Sequence, residues 1–439
     1  MSKRNLILLI IILSLAIITI FGFLYFRQKT MGPTDGNIDT NFFSKFNLLW
    51  NTEPKNPTPT TPVVNTPNYQ PNTVVETPQT KLNKVSSMPV AGFTVFIKER
   101  LKNVPAIAPI TPSAEISTPK VNKKPTPPPT EFAPALRYVE KATGNIYQTF
   151  ADKIEERKFS TTTIPKVYEA RFGNRGESVI MRYLKEDGAT IETFVGALPR
   201  ELLGGDTTED NEIKGTFLPN NIKDLSLSLD GSKIFYLFES GNNSNSGNSM
   251  IGAILNFSNN KKIQIFDSPF TEWLSFWPKG DTITLTTKPS ANIPGYMYSM
   301  NGTGKNLTKI LGDINGLTTF ESPSGKLVLY GNSSLSLNIY HMDTKNSDAL
   351  AVKTLPEKCV WGKASDAIYC AIPKEINFSE YPDAWYQGVV SFNDQFWKID
   401  VKTGNATMIL DPVMIAKGEE VDGIKLALDE GENYLFFVN

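Results

Sequence analysis

Three stretches of this chain carry side chains suited to chemistry. The first, CVWGKASDAIYC at 359 to 370, holds Cys359 and Cys370, the two cysteines of the sequence. Two thiols at that distance either bridge or sit as buried neighbours. The second, PKEINFSEYPDAWYQG at 373 to 388, sets Phe378, Tyr381, Trp385 and Tyr386 beside Glu380 and Asp383. Large rigid rings among acids suit anchoring of a protein partner or stacking on a sugar. The competing reading has the same rings packing over the rim of the fold and holding their own loop still. The third, GGDTTEDNE at 204 to 212, carries Asp206, Glu209, Asp210 and Glu212. Their oxygens would suit calcium, but the alternating ligand spacing of such loops is missing, so a solvated acidic loop is expected.

Several function classes are excluded by what else is present. The chain has one histidine, His341 in LSLNIYHMD, which alternates onto the face of Leu335, Leu337 and Ile339 and reads as a packed strand residue. One histidine and two cysteines are too few soft ligands for a zinc centre. There is no G-x-S-x-G elbow, no phosphate-cradling G-x-x-x-x-G-K and no calcium-binding EF-hand loop, so no catalytic residue, metal site or cofactor is expected. Lys plus Arg number 44 against 45 Asp plus Glu, a formal charge of -1 without long runs of one sign. Nucleic-acid binding rests on a basic surface that neutralises phosphates, so no nucleic-acid partner is expected.

The elements that must position these residues begin with a membrane anchor. Leu6 to Phe26 reads LILLIIILSLAIITIFGFLYF, without a charge. At 1.5 Å per residue such a helix spans roughly 30 Å, the thickness of a bilayer's hydrocarbon core. A cleaved signal peptide would have a shorter apolar region ending in small residues, whereas this one ends in Tyr25 and Phe26, so residues 1–29 are read as an uncleaved single-pass anchor. Lys3 and Arg4 on one flank nearly balance Arg27 and Lys29 on the other, and charge alone leaves the orientation tied. Residues 30–80 are rich in Pro, Thr and Asn and form an extended, solvated linker. Within it FFSKFNLLW, 42 to 50, spaces Phe42, Phe46 and Leu49 as on one helical face, either an interfacial helix or a transient cluster in a disordered tail. A second Pro-rich insert lies at 103–135.

The remainder, 81–439, reads as all-β. Short apolar or alternating runs are punctuated by Gly, Asn, Asp and Ser, and no 3.6-residue period persists. One phrase recurs: RFGNRGESVIMRY, SLSLDGSKIFYLF, SFWPKGDTITLTT, FESPSGKLVLYG, CVWGKASDAIYCA and LALDEGENYLFFV. Each is a strand, a polar turn and a second strand. Gly176, Gly231, Gly280, Gly325 and Gly431 stand in the turns, with Ser365 in the fifth copy, and three residues later come Val179, Ile234, Ile283, Val328, Ile368 and Tyr434. Turn positions are separated by 55, 49, 45, 40 and 66 residues, close to the 40 to 50 of propeller blades. Further short strands fill each interval. A lone four-stranded sheet cannot bury both faces and a ring of them can, so the repeats predict a β-propeller.

Six hairpins plus a divergent unit spanning GFTVF, LRYVEKA, NIYQTFA and ERKFSTT give seven blades, with six or eight as alternatives. The last copy ends after two strands, so the segment around Leu82 to Met88 is expected to pair with it and close the ring. In the fifth hairpin the turn centre falls between Ala364 and Ser365, midway between the cysteines. Opposed strand residues lie about 4.5 to 5.5 Å apart at Cα, within disulfide range, so a bridge is expected between Cys359 and Cys370. A structural disulfide implies an oxidising compartment, which breaks the orientation tie and puts the C-terminal domain outside the cytoplasm.

The hairpin phrase resembles the repeats of TolB-type, WD-repeat-like bacterial β-propellers. LSLDGSK, with Asp230 and Gly231, matches best; SPSGK keeps Ser322, Pro323, Gly325 and Lys326; Arg175, Lys279, Ala364 and Glu430 replace the aspartate elsewhere. The likeness covers 165–439 well and 81–164 weakly. It implies a propeller and, by analogy alone, partner binding in the cell envelope. Together these readings predict a membrane-tethered extracytoplasmic propeller that binds an envelope protein or polysaccharide. Phe378, Tyr381, Asp383, Trp385 and Tyr386 are its candidate contact residues. The alternatives are a carboxylate-based glycosidase or lyase acting at the central channel, and a structural component of an envelope assembly.

Overall fold

The computed structural model describes residues 82–102, 128–203, 211–240, 249–415 and 418–439. The proposed anchor, the linker, the cluster at 42 to 50, most of the Pro-rich insert and three acids of the GGDTTEDNE loop lie outside the described residues. Among the described residues no helix is long and apolar enough to cross a membrane.

Six four-stranded antiparallel sheets follow one another along the chain, each in simple sequence order. Blade one is β1 to β4 (Val90–Leu101, Thr130–Glu140, Ile146–Phe150, Arg157–Lys158), and blade two is β5 to β8 (Val167–Gly173, Ser178–Leu184, Ile191–Ala197, Lys214–Phe217). Blade three is β9 to β12 (Asp224–Leu227, Lys233–Glu239, Met250–Asn256, Lys262–Ser268). Blade four is β13 to β16 (Trp273–Lys279, Thr282–Thr287, Pro294–Asn301, Thr308–Asn315). Blade five is β17 to β20 (Thr318–Glu321, Leu327–Gly331, Ser336–His341, Ser347–Lys353), and blade six is β21 to β24 (Cys359–Trp361, Ala367–Pro373, Asp394–Asp400, Ala406–Leu410). A two-stranded sheet, β25 (Ile424–Leu428) with β26 (Leu435–Val438), ends the fold.

The apolar clusters show how these sheets close on one another. One joins Val139 and Ile146 of blade one to Phe172, Val179 and Met181 of blade two. Others join blades two and three through Ile180 and Ile234, three and four through Phe235 and Ile283, four and five through Met297 and Val328, and five and six through Leu329 and Ile368. Phe396 of blade six packs with Phe437 of the final hairpin, and Phe436 meets Phe93 of blade one edge to face. Each sheet thus covers the apolar face of the next, as a ring requires.

Blade number is corrected by this arrangement. The sequence reading expects seven blades; among the described residues six are complete, and the seventh position holds the β25–β26 hairpin alone. Leu82 to Met88 forms no strand beside β26. Instead Ser87 N–H donates to Glu156 of blade one at 3.2 Å, and Pro89 O accepts from Lys141 N–H at 2.9 Å, so the segment follows blade one's own edge. Packing records the missing strands: Val179, Ile234, Ile283, Val328 and Ile368 are 0 % exposed, while Tyr434 and all of β26 are only half-buried.

The turn glycines behave as their spacing implies. Gly176, Gly231, Gly280 and Gly325 take positive φ, and Ser365 adopts the same conformation at +61°. In the last copy the left-handed residue is Glu432, one place beyond Gly431. Asp230 braces its turn by accepting from Ser228 Oγ at 2.6 Å and Ser232 N–H at 3.0 Å.

Cys359 and Cys370 are opposed across β21 and β22 and form a disulfide with Cα atoms 4.0 Å apart. Both lie in the core between blades five and six. Closing a loop of this length restricts the unfolded chain by about 3 kcal/mol. The double variant Cys359→Ala/Cys370→Ala is expected to lose about that much in urea denaturation, and an unchanged midpoint would show that the surrounding strands alone fix the hairpin.

Candidate functional site on the insertion-bearing face

In an up-and-down blade the first-to-second and third-to-fourth strand turns leave from one face of the ring. The second-to-third connections and the links between blades leave from the other. Blade six spends its second-to-third connection, 374 to 393, on the aromatic insertion, so all of that segment lies on the second face. One helical turn, Asp383–Tyr386, forms its centre.

The insertion is braced against three neighbours. Asp383 Oδ2 accepts from Ala291 N–H at 2.6 Å and Glu380 from Asn292 Nδ2 at 3.2 Å, both in the corresponding connection of blade four. The Tyr386 hydroxyl donates to Glu357, in the link between blades five and six. Tyr381 and Phe392 stack with centroids 5.8 Å apart and pack with Leu335 and Leu355 of blade five's loops, Trp385 lying against them.

A buried charge cluster lies beneath. Lys358 is 0 % exposed, and its Nζ lies 2.7 Å from Asp394 Oδ2 and also contacts Asp422 Oδ1. The same ammonium lies 5.4 Å from the Trp385 ring centre and 5.3 Å from that of Phe392, a doubly cation-π placement. Asp394 accepts from Gly423 N–H at 2.7 Å; Asp422 accepts from Phe392 N–H at 3.0 Å, Ser391 Oγ at 3.1 Å and Trp385 Nε1 at 3.2 Å. Burial raises the Asp394 pKa despite Lys358 beside it. Burial also opposes ionisation of Asp422, but the Lys358 ammonium and the converging donors hold its carboxyl below the usual range. Lys358 therefore ties the insertion, blade six and the approach to β25 together.

The five residues singled out in the sequence divide by direction. Tyr381 is buried, Trp385 is half-buried, and Asp383 is tied to blade four. Phe378 stands fully exposed and Tyr386 is 44 % exposed. Ile293, Ile376, Val389, Val413 and Met414 are also exposed, all from connections on this face. Lys358, Glu357, Asp394 and Asp422 were missed by sequence reasoning. Lone charges at strand ends are ordinary, and these converge because blade six folds against the segment leading to β25.

In a propeller the first strand of each blade lines the central tunnel, and on this face its mouth is charged. Glu169 and Arg171 on β5, Asp224 at the start of β9 and Lys425 on β25 lie there, with Arg182 on β6 behind them. Glu169 accepts from Arg171 Nε at 2.8 Å and Arg182 at 2.6 Å. Burial opposes its ionisation, yet the two guanidiniums hold its pKa at about 2. Asp224 accepts from Ser275 Oγ of blade four at 2.8 Å, and burial pushes its carboxyl up. Lys425, at φ +52° in an irregular stretch of the β25–β26 pairing, donates to Ala91 O of blade one at 2.6 Å. Burial lowers its pKa, with Glu169 and Arg171 within electrostatic reach.

On the opposite face, Lys279, Lys326, Asp343 and Ser365 line a shallow depression with His341. His341 Nε2 lies 3.0 Å from Asp348 Oδ2, extending the strand row whose Leu335, Leu337 and Ile339 are buried. Among the described residues no group of histidines, cysteines and acids could hold a metal ion.

Closed ring, meandering four-stranded blades and polar-Gly hairpins define a β-propeller, with six complete blades among the described residues. No family model matches the sequence, and no curated protein matches it. Among solved structures the chain is similar to an oligogalacturonate lyase from Vibrio parahaemolyticus, at 9 % identity and TM-score 0.47 over 69 % of this chain and 82 % of that one. It is also similar to an oligogalacturonate lyase in complex with manganese, at 10 % identity and TM-score 0.44 over 69 % and 81 %. TolB from Acinetobacter baumannii is similar at 10 % identity and TM-score 0.39 over 61 % and 59 %.

Proposed function

We propose that this protein is a membrane-tethered binding module of the cell envelope. Its propeller is held outside the cytoplasm by residues 6–26 and the 30–80 linker, and it engages a protein partner through the insertion-bearing face. The observation that carries this reading is Phe378, a fully exposed aromatic ring on a loop braced from three sides. A rigid ring loses little conformational entropy on contact, which is why such residues anchor interfaces. Tyr386 and the exposed Ile293, Val389 and Met414 add apolar surface on the same face. The buried Cys359–Cys370 disulfide supports the oxidising compartment.

A photo-crosslinking residue at position 378 of the full chain, expressed in intact cells, tests the proposal. One discrete product is expected, absent when the probe is placed at Leu229 on the opposite face, where exposure is 62 %. A probe in place of Val389 should give the same product and lose it in Phe378→Ser, with the melting temperature unchanged. Equal labelling from both faces, or none, would overturn the assignment.

A further inference from the structure

Arg171, Arg182 and Lys425 meet two carboxylates, Glu169 and Asp224, at the tunnel mouth, and Lys141 also lies within electrostatic reach of Lys425. Arg182 is committed to the fold, one terminal nitrogen donating to Glu169 and the other to Ile222 O. Its Nε is buried with no hydrogen-bond partner among the described residues, and the side chain is 9 % exposed. Arg171 gives only Nε to Glu169; among the described residues its two terminal nitrogens have no acceptor, and its side chain is 39 % exposed. Lys425 donates one hydrogen bond to Ala91 O, and the residue as a whole is exposed. Solvent therefore reaches an unused guanidinium edge and an ammonium within electrostatic reach of it, while both acids are already hydrogen-bonded.

We infer that this mouth is a binding site for a carboxylate-bearing ligand, held by the terminal nitrogens of Arg171 and by Lys425. Cations outnumber carboxylates here, which favours an anion, and the charged neighbours of Arg171 itself are Glu169 and Asp224, which favours one that brings a single negative charge to that edge. The flat terminal edge of a guanidinium matches the two oxygens of a carboxylate, forming a pair of parallel charge-assisted hydrogen bonds. A phosphate dianion would bring a second negative charge towards Glu169 and Asp224, so the site discriminates against it. The inference does not depend on the protein-binding reading, because the ligand enters the tunnel and needs no contact with Phe378.

Ligand-observed saturation-transfer NMR on the purified full chain in detergent, with the acetate methyl signal observed, inorganic phosphate titrated in as its competitor and chloride holding ionic strength constant, provides the test. Acetate should bind at least about tenfold more tightly than phosphate. Loss of one charged hydrogen-bonding partner reduces affinity roughly tenfold or more, so Arg171→Gln and Lys425→Gln should each weaken acetate by at least that factor. Arg171→Lys keeps the charge without the planar edge and should fall in between. It also replaces Arg171→Gln in the comparison if that variant fails to fold. No acetate signal from the wild type, equal or tighter phosphate binding, or variants that bind acetate like the wild type would each overturn the inference.

Discussion

Replacing Lys358 with methionine is expected to lower stability by about 3 to 5 kcal/mol and to free the insertion from the ring. The substitution keeps the stem's volume and removes the ammonium, leaving Asp394 and Asp422 facing each other without their shared cation. A buried ion that loses its partner keeps its desolvation cost, which is why breaking such a cluster costs more than the cluster itself contributes. Asp394 is 0 % exposed and one of its oxygens has no hydrogen-bond partner among the described residues, so bulk solvent does not reach the carboxylate to screen it. Urea denaturation measures the global loss, and amide exchange across 376 to 392 reads the local one. Adding Asp394→Leu and Asp422→Leu should recover part of the stability, because the remaining charges then disappear together. A loss below about 1 kcal/mol would show that the Trp385 and Phe392 rings hold the insertion without the charge.

Glu321→Gln should make the protein more stable at pH 8 by about 3 kcal/mol and leave it unchanged near pH 4. Glu321 ends the inner strand of blade five, is 4 % exposed, and has one oxygen without a partner among the described residues. Burial raises its carboxyl to about 7 from a usual value of 4.5, with a hydrogen bond from Thr284 offsetting only part of the effect. Below the unfolded value both states are protonated and nothing is lost. Between about 4.5 and 7 the unfolded chain releases a proton that the folded one retains, so stability falls as pH rises, and above about 7 the full penalty is present. The glutamine variant cannot ionise and should lack this decline. Thermal unfolding of both proteins from pH 4 to 8 provides the comparison, and parallel curves would refute the assignment. Glu169 has the opposite sign: its pKa is depressed to about 2, so its contribution is present above about 4.5 and is lost as pH falls towards 2.

The blades were legible because their signal is local. A glycine at positive φ three residues before a buried branched side chain marks a hairpin wherever it falls, and repetition shows that hairpins stack. The cysteine register followed from the same symmetry, since opposed residues lie equally far from a turn centre. Closure was misjudged for a reason equally physical. Whether Leu82 to Met88 pairs with β26 or follows blade one depends on the distance between two segments more than 300 residues apart in sequence, and Ser87's bond to Glu156 is invisible in either segment alone.

The sequence by itself determined a ring of antiparallel blades, one disulfide and a rim insertion rich in rings, because each is written in short-range spacing. Only the folded ring settles that six blades are complete among the described residues, that Tyr381 and Trp385 turn inward while Phe378 turns out, that Lys358 meets Asp394 and Asp422, and that Arg171 and Lys425 come within reach of Asp224 and Glu169. Charge pairing and burial are properties of neighbours in space, and only the closed ring makes residues of β5, β9 and β25 neighbours.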